Sequence, residues 1–356
     1  MNSALGNSHP SGQAGDAEAS PTLSIVIKAL NEEAKIRRCL ESALAEVEGL
    51  GVSWEIVLSD SISTDKTVEI ALGYPVRVVQ FSRLQDRGCG PGVQLGYQYS
   101  RGSVIFFLDG DMVVQPGFLA AALRALEQDP TLGGVAGLLT DAYVRNAFDA
   151  HRVESAVSSI AKDELWLNGG GVYRRKAIEQ AGGYAANRNL KGWEEADLGM
   201  RVRAAGWHLR RIPMPAVTHD GHHLSTVQVL RSVWRSGRAF SSGVLLRQAV
   251  GHAWFFDCIR LLAHPVGMMA WWFLGLCSAM WSFWQSTGLP LQAWGAASVL
   301  GVLGVMVVKR GLRRGALSIF MWHYWALSIV IGLTLSGRSP AEPIAGVELS
   351  GKGNSP

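Results

Sequence analysis

Between Pro265 and Leu335 the chain carries three stretches without a charged side chain: Pro265 to Trp284, Leu289 to Val308 and Gly315 to Leu335. Each has about the ~20 residues that an α-helix needs to cross the hydrocarbon core of a bilayer. Composition agrees with a membrane-contacting last third. Charged residues are 17% of the 356, hydrophobic residues are 48%, and 13 are Trp, against ~25% charged in an ordinary soluble chain. The formal charge of +4 comes without a dense basic patch interleaved with aromatics, which argues against a nucleic-acid partner. Attraction to anionic headgroups is the more economical use of it.

The turns between these stretches differ in charge. Lys309, Arg310, Arg313 and Arg314 lie between the second and third, whereas Gln285 to Gly288 carries none. The positive-inside rule puts the basic turn in the cytoplasm together with the amino-terminal domain, and three crossings then leave the tail, 336–356, flexible and outside. The expected location is a bacterial-type inner or plasma membrane. His323 in the third span is either functional or buried against a neighbouring helix. Upstream, His223 to Gly243 reads as an interfacial helix with Arg231, Arg235 and Arg238 snorkelling, or equally as a helix covering the domain; the amphipathic region is set at 223–264. Residues 1–21 lack an apolar core and read as a disordered leader. Cys39, Cys89, Cys258 and Cys277 form no CxxC pair, so neither a zinc site nor a disulfide framework is indicated.

From Leu23 onward, apolar runs of strand length alternate with helical periodicity. Leu23 to Ala29, Trp54 to Leu58, Val76 to Phe81, Val104 to Leu108 and Val135 to Leu139 read as strands. Helices are expected over Glu32 to Val47, after the capping group Ser63-Thr64-Asp65, near Gln94 to Tyr99, and over Gly117 to Gln128, Arg175 to Ala181 and Glu195 to Ala205. Strands alternating with helices predict an α/β domain over 22–222, with a mostly parallel sheet covered on both faces. Gly88, Gly90 and Gly92 follow the third strand and complete no GxGxxG, so they read as a flexible loop.

Acidic residues gather at strand ends. FFLDGDM, Phe106 to Met112, takes a buried run straight into Asp109-Gly110-Asp111. Such a pair holds a divalent cation against phosphates, although Asp-Gly after a strand is also ordinary turn chemistry. Asp60 ends the second strand, and ligands in open α/β sheets bind at strand carboxyl ends. Farther on, Glu194, Glu195 and Asp197 crowd a helix start, with Arg201 one turn after Asp197. A carboxylate in a partly desolvated cleft can act as a general base. His219-Asp220-Gly221-His222-His223 offers imidazole to a metal or a diphosphate.

Four segments in this order resemble the family two glycosyltransferases, inverting enzymes of GT-A fold, over about Leu23 to Asp220: SIVIKALNEE, SDSISTDKT, FLDGDM and EEADLGMRVRAAG. The resemblance implies a donor that is a UDP- or GDP-linked sugar, Mg2+ or Mn2+ as cofactor, and nucleotide contacts from Glu32, Asp60 and Asp109. It implies Asp111 as metal ligand, supported by Asp109, and Glu195 as catalytic base, with Glu194 or Asp197 sharing the task because the family usually has Asp at that place. Val93 stands where a basic residue is frequent, which leaves phosphate neutralisation to Arg83 or Arg87. Gln228-Val-Leu-Arg231 is followed by Ser232 instead of the Trp of processive synthases. The expected function is therefore transfer of a sugar to a lipid or lipid-linked acceptor. A polysaccharide synthase and a non-catalytic nucleotide-binding membrane scaffold are the alternatives.

Overall fold

The computed structural model describes residues 20–144, 146, 149–150, 161–221 and 224–350. Residues 1–19 of the leader and His222-His223 lie outside these residues, as do 145, 147, 148 and 151–160 of the segment from Asp141 to Leu167 that reads as loosely helical. The core is a sheet of strands β1 (Leu23–Ala29), β2 (Trp54–Asp60), β3 (Arg77–Phe81), β4 (Val104–Asp109), β5 (Met112–Val114), β6 (Leu132–Asp141), β7 (Lys162–Asp163), β8 (Val172–Arg174), β9 (His208–His219) and β10 (Gly346–Leu349). Their order is β10-β3-β2-β1-β4-β8-β6-β9-β5, with β7 on β9. β3, β2, β1 and β4 are parallel, as are β6 and β9; β8, β5, β7 and β10 join antiparallel.

Strand β1 explains why the parallel block forms. LSIVIKA is buried along nearly its whole length, and a run apolar on both faces is stable only with helices above and below. On one face Ile25 and Ile27 join Ile36, Leu40 and Val47 of the Ile36–Glu48 helix and Phe118 and Leu119 of the Phe118–Gln128 helix. On the other, Val26 joins Val93, Tyr97 and Ile178. The chain order runs outward from β1 in both directions, to β2 and to β4, and the crevice at their carboxyl ends is the place where such sheets bind ligands.

The glycine run differs from its expectation. Cys89–Tyr99 is one continuous helix beginning inside the segment read as a loop. Glycine disfavours helices, but here it permits contact. A Cβ at Gly96 would overlap Val26 Cγ1, one at Gly90 would overlap the Leu190 carbonyl, and one at Gly92 would stand 3.3 Å from Lys28 Cβ. The helix therefore rides directly on β1.

Past β9 the expected single interfacial helix is broken. Thr226–Arg235 starts with a capping box in which Ser225 and Gln228 satisfy each other's backbone. It ends at Gly237, whose φ of +75° only glycine adopts readily, and Ser241–Ala249 and Phe255–Leu261 follow. Three helices, Ala263–Trp284, Leu289–Val308 and Leu312–Thr334, are long and apolar enough to cross a membrane. The segment 336–356, expected to be flexible, instead folds onto the domain over its described part. β10 pairs with β3, Arg77 holds Glu348 at 2.9 Å, and Ile344 is buried against Val57, Val79 and Leu95. The apolar-polar alternation of GVEL is short, and only an unpaired edge on β3 turns it into a strand.

Gly96→Ala should cost ~1–3 kcal/mol through overpacking against Val26, whereas Gly49→Ala, with open space around it, should stay within ~0.5 kcal/mol. Denaturant unfolding of the detergent-solubilised chain, followed by tryptophan fluorescence, measures both.

Candidate active site

Parallel register carries the first acidic groups to one level. Ala29 on β1 lies beside Asp60 on β2, and Lys28 beside Asp109 on β4. The loops that follow β1 and β2 are laced together: Asn31 accepts the Thr64 amide at 2.8 Å, Thr67 Oγ1 accepts the Glu32 amide at 2.8 Å, and Asp65 accepts the Glu33 amide at 3.1 Å. Asn31 and Ile62 sit at φ +55° and +58°, a left-handed conformation that is costly for Ile and recurs at binding sites. Asp60 is fully buried; its Oδ2 accepts from the Ser63 amide (2.9 Å) and Gln80 Nε2 (2.8 Å), while Oδ1 has no partner among the described residues.

The centre of the cleft is Lys28. Its Nζ lies 2.9 Å from Glu194 Oε1 and 3.3 Å from Asp109 Oδ1, joining β1, β4 and the first turn of the Glu194–Ala204 helix. Trp193 begins that helix at φ +68°, an outlier for a bulky residue; its ring meets Trp325 edge-on at 6.0 Å. Glu195 is half-buried, and a Cβ at Gly169 would come within 3.3 Å of its Oε1. The Asn168-Gly-Gly-Gly loop is pinned to β4 by hydrogen bonds between Phe107 and both Gly170 and Gly171, so it forms a wall between Met112 and Glu195.

Asp111 stands on the other side. His219 Nε2 lies 3.3 Å from Asp111 Oδ2, and His219 Nδ1 lies 2.8 Å from Asp141 Oδ1. With Nδ1–H donated to Asp141, the Nε2 lone pair faces the Asp111 carboxylate, and these two donors would be the groups to hold a divalent cation. Orientation of a ligating imidazole by a carboxylate is a recurrent feature of metal sites. Among the described residues no three or more His, Cys, Asp or Glu side chains converge as a metal cage.

The cleft is electrostatically frustrated. Burial, then the Asp111 charge, push the Glu32 carboxyl up to about 7, against the pull of Lys35. Burial, then Glu194, push Glu195 up to about 8. Burial also raises Asp109, with Lys28 opposing. The remaining sequence candidates lie elsewhere. Asp197 faces the core, where Arg201 holds it at 2.8 Å while also donating to the carbonyls of Ala181 and Tyr184. Its i,i+4 partner and its turn of the helix keep it out of the cleft. Arg87 is half-buried on the loop before the glycine helix, and Arg83 is exposed. Lys28, Asp141 and the Gly169–Gly171 wall were not read from the sequence. Lys28 left a signal, a lone cation inside LSIVIKA.

Residues 24–182 match the family model of glycosyl transferase family 2. Residues 24–182 are thus a family 2 glycosyltransferase domain. The match stops short of Glu194, so the EEADLGMRVRAAG block lies beyond it. The chain is 30% identical over 153 residues to a dolichyl-phosphate beta-glucosyltransferase of Drosophila melanogaster, covering 37% of this chain and 46% of that protein. It is 29% identical over 119 residues to a dodecaprenyl-phosphate galacturonate synthase of Rhizobium johnstonii, covering 32% and 35%. The chain spans less than half the length of these curated relatives. Among solved structures, a mannosyltransferase from Pyrobaculum calidifontis in complex with GDP-Man and Mn2+ superposes with a TM-score of 0.54 at 20% identity, over 89% of this chain and 88% of that one. The fold is that of the GT-A glycosyltransferases, followed by helices apolar enough for a membrane.

Glu32 and Glu195 bind protons more tightly in the folded chain than at their ordinary value of 4.5. Their stabilising contribution is complete below pH 4.5 and is lost as pH rises to about 8. Without divalent cations, the melting temperature should fall across that window, and Glu195→Gln should flatten the fall between pH 7 and 8.

Proposed function

We propose that the chain is a membrane-anchored glycosyltransferase that moves a sugar from a nucleoside-diphosphate donor to a polyprenyl-phosphate acceptor, with inversion and with a divalent cation. The observation that carries this reading is the convergence of Asp60, Asp109, Asp111 and Glu195 on one crevice, on two sides of Lys28. The names of the relatives that transfer to dolichyl and dodecaprenyl phosphates support the acceptor class. The GDP-Man and Mn2+ bound by the mannosyltransferase support the donor and the cation.

Each residue then has a task. A nucleobase N–H satisfies the buried Asp60 Oδ1, and the loop carrying Glu32 closes the same pocket. Asp111 and His219 hold the cation, which when bound supplies charge to the leaving diphosphate. Asp109 lines the nucleotide side of the crevice, and the Lys28 ammonium 3.3 Å away offsets its negative charge there. Glu194 is occupied by the Lys28 ammonium and is a poor base. Glu195, held protonated more tightly than a free carboxyl, is the better one, and it takes the proton from the acceptor as the anomeric carbon is attacked. Asp197 anchors the helix that presents both glutamates. The domain faces the cytoplasm, because the basic turn Lys309 to Arg314 favours that side.

Membranes containing the chain should transfer radiolabel from a nucleotide sugar into solvent-extractable lipid. Glu195→Gln should lower kcat by ~10^2–10^4-fold with donor binding retained, and full activity of Asp111→Ala would remove the metal assignment. Asp141→Asn should weaken Mn2+ binding, titrated in the presence of nucleoside diphosphate, by ~10–100-fold.

A further inference from the structure

We propose that the chain crosses the bilayer twice, not three times. Ala263–Trp284 and Leu289–Val308 form a transmembrane hairpin, and Leu312–Thr334 stays on the catalytic domain's side, packed against it along the membrane interface. The inference rests on the membrane-anchored reading above and adds the topology.

Parity comes first. The chain leaves the domain near Leu262 and returns to it after Thr334. On return, Gln98 exchanges hydrogen bonds with both backbone groups of Ile344 (3.0 and 3.1 Å), and Tyr99 Oη donates to the Gly346 carbonyl (3.0 Å). Arg188 binds the Glu342 side chain at 3.2 Å, and β10 adds to β3. A sheet that holds both β3 and β10 lies on one side of the membrane. The number of crossings between them is therefore even, and three apolar helices supply at most two.

Burial decides which two. Apart from Gly275 the first helix buries no residue, and the second buries none. Phe273, Leu276, Met280, Val299, Leu300 and Leu303 are exposed on its several faces and on those of its partner. Helices apolar all round need lipid. At roughly 1.5 Å per residue, their 22 and 20 residues span roughly 30 Å, the thickness of the hydrocarbon core. Two indole groups bond within the pair, Trp271 Nε1 donating to Ser298 Oγ (3.1 Å) and Trp294 Nε1 to the Trp271 carbonyl (3.2 Å), while Trp272 Nε1 donates to His323 Nδ1 of the third helix (3.1 Å).

The third helix is different. Ala326, Ser328, Ile329 and Gly332 are buried, and a Cβ at Gly332 would stand 2.8 Å from Gly243 Cα. Tyr324 Oη donates to the Leu230 carbonyl at 3.0 Å, and the Arg247 guanidinium to the Leu333 carbonyl at 3.0 Å. Half of this helix is part of the domain and is not free to cross. Leu312, Leu317 and Phe320 at its start remain exposed, an apolar face for the headgroup boundary. Charge agrees with this order. The uncharged turn Gln285 to Gly288, next to Trp281 and Trp284, reaches the far interface, and the four cations from Lys309 to Arg314 return to the domain's side.

The test introduces single cysteines into the full-length chain at Glu48→Cys in the domain, Gln285→Cys, Arg313→Cys and Ala341→Cys, all exposed positions. Sealed vesicles of one orientation are treated with a membrane-impermeant maleimide, with the parent chain as blank and detergent-opened vesicles as full signal. Glu48→Cys, Arg313→Cys and Ala341→Cys should label at like rates, and Gln285→Cys at least ~10-fold differently, reacting only from the other face. Ser350→Cys repeats the tail measurement should Ala341→Cys not fold. A tail that labels with Gln285→Cys overturns the even count, and four alike overturn the hairpin, in either case leaving the anchored reading standing if alkaline extraction retains the chain. Release at alkaline pH overturns both.

Discussion

One ammonium group holds together the two halves of the crevice. Lys28 Nζ reaches Asp109 on β4 and Glu194 at the start of the Glu194–Ala204 helix, so it ties the nucleotide side of the sheet to the side that carries the candidate base. Without it, Asp109 and Glu194 would lose the cation they share, and the raised carboxyls of Glu32 and Glu195 show how much repulsion remains even with it. The strand that presents Lys28 is buried on both faces and flanked by β2 and β4, and the glycine helix lies close enough on it that side chains at Gly90 and Gly96 would collide. The position of one charge thus depends on the packing of the whole parallel block.

An acidic crevice balanced this closely is suited to a ligand that brings both signs of charge. A cation with a diphosphate would add positive charge at Asp111 and negative charge beyond it, and the carboxylates that repel one another would then become its ligands and neighbours. His219 belongs to this part because β6 and β9 run parallel with Asp141 beside His219. Farther out, Trp193 caps the helix of Glu194 and Glu195 and touches Trp325 on the third apolar helix. The proposed base, Glu195, is therefore connected to the helix proposed to rest at the membrane, which is where a lipid acceptor would present its phosphate.

Much of this was legible in the chain. The strands at LSIVIKA, WEIVL and VIFFLD, and the clustering of Asp60, Asp109 and Asp111 at their ends, follow from periodicity and from the rule that open sheets bind at strand carboxyl ends. What escaped depends on distant partners. Asp141 is silent locally and gains its role through register with β9. Gly88 to Gly92 has a loop's composition and a helix's conformation, since close approach to β1 outweighs propensity. Asp197 reads like its acidic neighbours, and only its Arg201 partner separates it from them. The tail GVEL has too few residues to announce a strand, and its pairing with β3 is what changes three crossings into two.

In the proposed reaction one carboxylate, Glu195, serves as base while the diphosphate departs from the opposite face of the sugar, which requires a single displacement. The most direct measurement is the anomeric configuration of the transferred sugar, read by proton NMR from the product that the full-length chain makes with an α-linked nucleotide sugar and a polyprenyl phosphate. A single displacement gives a β-linked sugar phosphate. An α-linked product would contradict it.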